Sequence, residues 1–120
     1  MPHIVLEKAS SVQECYDVIG QMVEKIEVGI LKITDKYINE QKTSALLESV
    51  AVEKSKPQNF FIQLSSKEEA VTVRLLPLTD PEKTNGVKKL MGLVAHKIKK
   101  SNSNITYGKT NLQDFLVDEL

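Results

Sequence analysis

Met1-Pro2-His3-Ile4-Val5-Leu6-Glu7-Lys8 opens the chain, and its reading governs the rest. Ile4, Val5 and Leu6 are consecutive apolar residues, two of them β-branched, as in a strand covered on both faces. Pro2 costs little at the first position of a strand, where no ladder donor is needed. Chain ends fray unless something ties them down, so an apolar run this close to the start predicts a held strand. With Met1 removed, Pro2 would present a secondary amine at the head of that strand. A free α-amino group titrates at about 7.7–8.0, and an apolar pocket lowers this by penalising the cation. Such an amine is a base poised near neutral pH, as carbonyl–enol proton transfer requires.

Outward from this strand, Ser10 or Ser11 can cap a helix, with Glu14 as capping-box partner of Ser11. Apolar residues then recur at Val12, Tyr16, Ile19, Val23, Ile26, Ile30, Ile33 and Tyr37. The steps alternate four and three, one stripe on a helix. This predicts a helix from about Ser11 to at least Val28, with an extension to about Glu40 left open. Gly20 and Gly29 interrupt it and mark close packing or a bend. After a polar connection over Asn39–Ser44, alternation predicts a strand over Ala45–Lys54. One face holds Leu46, Glu48, Val50 and Val52; the other holds Leu47, Ser49, Ala51 and Glu53. Glu48 is the odd member of an apolar face. It either reaches a sheet edge or a lysine, or serves as a pocket acid.

Ser55–Asn59 reads as a loop. Phe60–Ser65 and Ala70–Pro77 read as strands of a hairpin, joined by the polar turn Ser66–Glu69. Arg74 is the only arginine in the chain. Its planar fork suits a carboxylate better than a lysine does, in a substrate, a neighbouring subunit or a surface ion pair. Asp80 can cap a second helix with Pro81 in its first turn. Val87, Leu90, Met91, Val94, Ala95 and Ile98 form that helix's apolar face. Lys97, Lys99 and Lys100 complement the dipole of its last turn. Ser101–Asn104 stops it, Ile105–Tyr107 is a short final strand, and Leu112, Phe115, Leu116 and Leu120 mark a tail that docks on a neighbour.

At 120 residues the chain is a single domain, 1–120, with a hydrophobic fraction of 41% sufficient for a core. A net charge of +0 gives no electrostatic reason to expect nucleic acid or an anionic membrane as partner. The single cysteine, Cys15, excludes an internal disulfide, fits a reducing compartment and reads as inert packing. No apolar run approaches a membrane span and no signal peptide is apparent, so a cytoplasmic protein is expected. His3 and His96 lack the neighbours of a zinc site, and no phosphate-cradling glycine loop occurs. No metal or cofactor is expected.

Pro2-His3 at the terminus, an apolar strand and an amphipathic helix are followed by a second strand–helix unit. Val18-Ile19-Gly20-Gln21-Met22-Val23-Glu24-Lys25-Ile26 is echoed by Leu90-Met91-Gly92-Leu93-Val94-Ala95-His96-Lys97-Ile98. In this pattern the chain resembles the tautomerase superfamily, its 5-carboxymethyl-2-hydroxymuconate isomerase branch in particular. The resemblance implies an α/β (α+β) fold of two βαβ units, with the helices on one face of a mixed sheet, assembled as a homotrimer. It implies a tautomerase or isomerase of a small unsaturated keto or enol acid. Pro2 would be the catalytic base and Arg74 would hold the substrate carboxylate. Glu48 or His3 would relay a proton. The alternative is a non-catalytic oligomeric binding or interaction module that keeps the fold.

Overall fold

The computed structural model describes residues 1–9 and 11–117. The chain runs β1 (His3–Glu7), α1 (Val12–Val18), β2 (Met22–Ile26), β3 (Gly29–Ile38), β4 (Ser44–Glu53), β5 (Lys56–Lys67), β6 (Ala70–Leu75), α2 (Asn85–Ser101) and β7 (Thr106–Thr110). Short 3-10 turns at Pro77–Thr79 and Gln113–Phe115 flank α2 and follow β7. The strands form one curled seven-stranded sheet in the order β2-β3-β4-β5-β6-β1-β7.

The helix expected over Ser11–Val28 ends at Val18. Ser11 caps it as anticipated, accepting from the Glu14 N–H at 3.1 Å. Ile19 then turns extended as the C-cap. Lys36 reaches across from β3 to donate to the Tyr16 carbonyl at 2.8 Å, with its ammonium 4.2 Å from the Tyr16 ring centroid. The stripe read as helical from Val23 to Tyr37 belongs to a β-hairpin. Isoleucine, valine and threonine dominate that stretch and favour strands. Period-two alternation sends Leu31 and Ile33 inward, and a register shift between Ile33 and Asp35 turns Tyr37 outward, where it is exposed like Val23. Gly29 does mark close packing: a Cβ there would lie 1.7 Å from the Val52 carbonyl oxygen.

Every strand pairing is antiparallel. A βαβ unit needs parallel strands joined by a helix, and no such pair occurs among the described residues. The class is α+β, with an antiparallel rather than a mixed sheet. The reason lies in the connections between β2 and β6, which are short turns, and short turns can join only antiparallel neighbours. The loop expected at Ser55–Asn59 is such a turn followed by strand. Lys54 and Ser55 both take positive φ, 51° and 68°, and β5 resumes at Lys56.

Both helices pack on one face. α2 lies against β1, β3, β4 and β6; α1 lies against β3, β4, β5 and α2. Ile4, Leu6, Leu47, Ile62, Leu64 and Val73 point into this layer and meet Val87, Leu90, Met91 and Val94 of α2. Each such side chain contributes roughly 1.5–3 kcal/mol on burial. Helix α2 begins at Asn85 rather than at Pro81. Thr84 is its cap, and the Glu53 carboxylate accepts from the Thr84 hydroxyl and from the Gly86 N–H. The final strand starts at Thr106, and Leu112 beyond it is buried on the chain's own core. Ser10 and Leu120 lie outside the described residues.

Two substitutions check this architecture. A Cβ at Gly92 would sit 2.1 Å from the Phe115 carbonyl oxygen. Gly92→Ala should therefore cost about 1–3 kcal/mol, as overpacking does. Ser55→Gly should add about 1 kcal/mol by relieving the left-handed conformation. Chemical denaturation midpoints moving down and up respectively are the expected outcome.

Candidate functional site

The sheet has one covered face and one bare face, and the sequence-derived candidates divide between them. Pro2 is buried and continues the inward alternation of Ile4 and Leu6. Its nitrogen is the amide of the Met1–Pro2 bond. The Met1 carbonyl accepts from Asn111 Nδ2 at 2.8 Å and from His3 Nδ1 at 3.0 Å, while the His3 N–H donates to Asn111 Oδ1 at 3.0 Å. The start of the chain is thereby fastened to the segment after β7.

Arg74, Glu48 and His3 lie on the bare face. Strand register sets His3, Arg74, Gln63, Leu46 and Tyr37 in a single row from β1 to β3. The next row places Glu48 between Asp35 and Phe61. Arg74 Nε donates to Gln63 Oε1 at 3.1 Å, and Gln63 Nε2 donates to Ser44 Oγ at 3.0 Å. Glu48 accepts from Thr34 Oγ1 at 3.1 Å and from the Tyr37 hydroxyl at 3.2 Å. The same hydroxyl lies 3.3 Å from Asp35 Oδ2. The Tyr37 ring meets Phe61 edge-on, with centroids 6.4 Å apart.

Electrostatics on this face are unbalanced locally. The charge of Asp35, then that of Glu48 with its hydrogen bond, holds the Tyr37 phenol above its ordinary range, because a phenolate there would face two carboxylates. Lys83–Asp80 is the only ion pair among the described residues. Arg74 and Glu48 thus have no ion-pair partner among the described residues. A shallow depression of about 290 Å³ on the sheet is lined by Tyr37, Ile38, Asn39, Ser44, Leu46, Gln63 and Leu76, and includes neither charge. It is open to solvent, and Pro2 is not part of it.

Gln63, Tyr37, Asp35 and Phe61 join this surface without having been singled out in the sequence. Only strand register brings them beside Arg74 and Glu48; the spacing of Tyr37 points to a helical stripe instead. Cys15 is buried, and burial, with the charge of Glu14 added, pushes its thiol up to about 11. A thiol so disposed is no nucleophile at neutral pH. No group of His, Cys, Asp and Glu residues suited to a metal ion occurs among the described residues. None of the described helices is long and apolar enough to cross a membrane.

Comparison of the chain with protein-family models, curated proteins and solved structures finds no match. The reading of the site therefore rests on its own geometry.

That geometry is testable through Tyr37. The difference between ultraviolet titrations of the parent and of Tyr37→Phe should place Tyr37 ionisation above the usual phenol value of about 10. Asp35→Asn should bring it down by removing the stronger of the two negative neighbours. Ionisation at the usual value in the parent would mean that the carboxylates and the phenol do not share this surface.

Proposed function

We propose that this chain is a non-catalytic interaction module. Its working surface is the bare sheet face, and the occupant of that face is a second copy of the chain. The observation that carries this reading is the composition of the face. Leu46, Val50, Val52, Phe61 and Leu76 are only half-buried there, although both helices pack on the opposite side. Contiguous apolar surface rimmed by polar groups is the mark of an association site. Self-association is favoured because Arg74 and Glu48 are unlike charges on the same surface, each without an ion-pair partner among the described residues. One face thus supplies both halves of a complementary contact, as an isologous interface requires.

The tautomerase reading draws its support from Pro2-His3 at the terminus. It requires the Pro2 nitrogen to be freed from Met1 and to share a substrate with Arg74. Pro2 and Arg74 face opposite sides of the sheet, which favours the module. The trimer implied by the resemblance is replaced in this reading by a two-copy assembly.

Sedimentation equilibrium at micromolar concentration should give the mass of two chains. Phe61→Asp should give the mass of one, with an unchanged circular dichroism spectrum. Protein lacking Met1 should not tautomerise phenylenolpyruvate or 2-hydroxymuconate. A monomeric parent would overturn the self-association. A three-chain mass, or ready tautomerisation by the Met1-free protein, would return the reading to the tautomerase assembly.

A further inference from the structure

We infer that the two copies are related by a two-fold axis running along β5, which sets Arg74 of each copy against Glu48 of the other. This inference rests on the self-association proposed above and specifies its geometry.

β4 and β6 are the immediate neighbours of β5, one on each side. An axis lying between two face-packed sheets and parallel to β5 carries β4 of one copy onto β6 of the other. Glu48 stands opposite Phe61, and Arg74 stands opposite Gln63. Along the strands the two charges are therefore offset by two residues, roughly 7 Å. Face-packed sheets lie about 10 Å apart with their strands nearly aligned. A long arginine side chain and a glutamate can bridge that diagonal. An axis across the strands would instead stack β6 on β6 and β4 on β4, bringing like charges together.

The local contacts prepare both groups. Gln63 holds the Nε of Arg74, which leaves the terminal nitrogens of the guanidinium to fork onto a carboxylate. Glu48 accepts from neutral hydroxyls of Thr34 and Tyr37, so its charge is oriented but not matched among the described residues. Asp35 lies within the same cluster and deepens the negative potential. An arriving guanidinium relieves this repulsion.

The remainder of the face follows the same operation. Phe61 lies on β5 and meets its own copy on the axis, with Glu48 beside it on β4 and Leu76 on the side of β6. An aromatic anchor near the centre of a buried patch is the usual hot spot of a stable interface. β3 and β1 are each two strands from β5. The axis therefore carries β1 of one copy over β3 of the other and brings His3 to Tyr37, which shares its row.

Charge reversal tests the pairing in the full chain. Arg74→Glu and Glu48→Arg should each weaken the dimer on the order of tenfold or more, since each homodimer would hold two repulsive contacts. An equimolar mixture should recover dimer, seen as the mixed species by native mass spectrometry. That species contains one parental pair and one reversed pair, both attractive. Arg74→Gln and Glu48→Gln should weaken association less than the reversals do and retain the parental circular dichroism. Single reversals that dimerise as tightly as the parent would overturn the two-fold pairing while leaving self-association standing. So would folded reversals that stay monomeric when mixed. A parent that is itself monomeric would instead overturn the self-association.

Discussion

Helix α2 is clamped against a single face of an antiparallel sheet, and the rest of the structure depends on that clamp. At its start the Glu53 carboxylate receives the Gly86 N–H and the Thr84 hydroxyl. Near its middle Gly92 lets the Phe115 carbonyl come close. Further along, His96 Nδ1 donates to the Val117 carbonyl at 3.0 Å, and the Tyr107 hydroxyl donates to the same oxygen at 2.7 Å. Sheet, helix and closing segment are thus tied by buried or half-buried hydrogen bonds, which are costly to leave unmade. With both helices committed to this face, the other side of the sheet has no cover among the described residues.

Local alternation made much of this legible. β4 is found within a residue of where the pattern puts it, the β5–β6 hairpin forms, and α2 buries its anticipated apolar face. The second half of the supposed long first helix was not legible. Val23, Ile26, Ile30, Ile33 and Tyr37 keep helical spacing in the sequence, but in the hairpin they divide between faces: Ile26 and Ile33 pack on the core while Val23 and Tyr37 are exposed. Their β-branched character carried the truer signal. Handedness and direction of pairing were also hidden, since helices can connect strands that never become neighbours.

The site was partly readable, and the unread part concerns sides rather than residues. Arg74 and Glu48 were recognisable as oddities on their strands, and register places them one strand either side of β5. Which face they shared could not be read from either strand alone. In β4 the face that looks more apolar, with Leu46, Val50 and Val52, is the bare one. The inward face tolerates Ser49 because its hydroxyl donates to the Leu47 carbonyl at 2.8 Å. This inversion explains both why Glu48 is not a buried acid and why the bare face carries so much apolar surface.

The placement of β1 has a consequence for how the chain assembles. Its neighbours are β6 and β7, which lie far along the sequence. During synthesis the meander from β2 to β6 can close through its short turns while the first strand still waits for both partners. Loop closure over such separations is entropically slow. β1, made before either of its partners, is therefore seated last, wedged between β6 and β7 like a keystone, with Asn111 securing the residues just ahead of it.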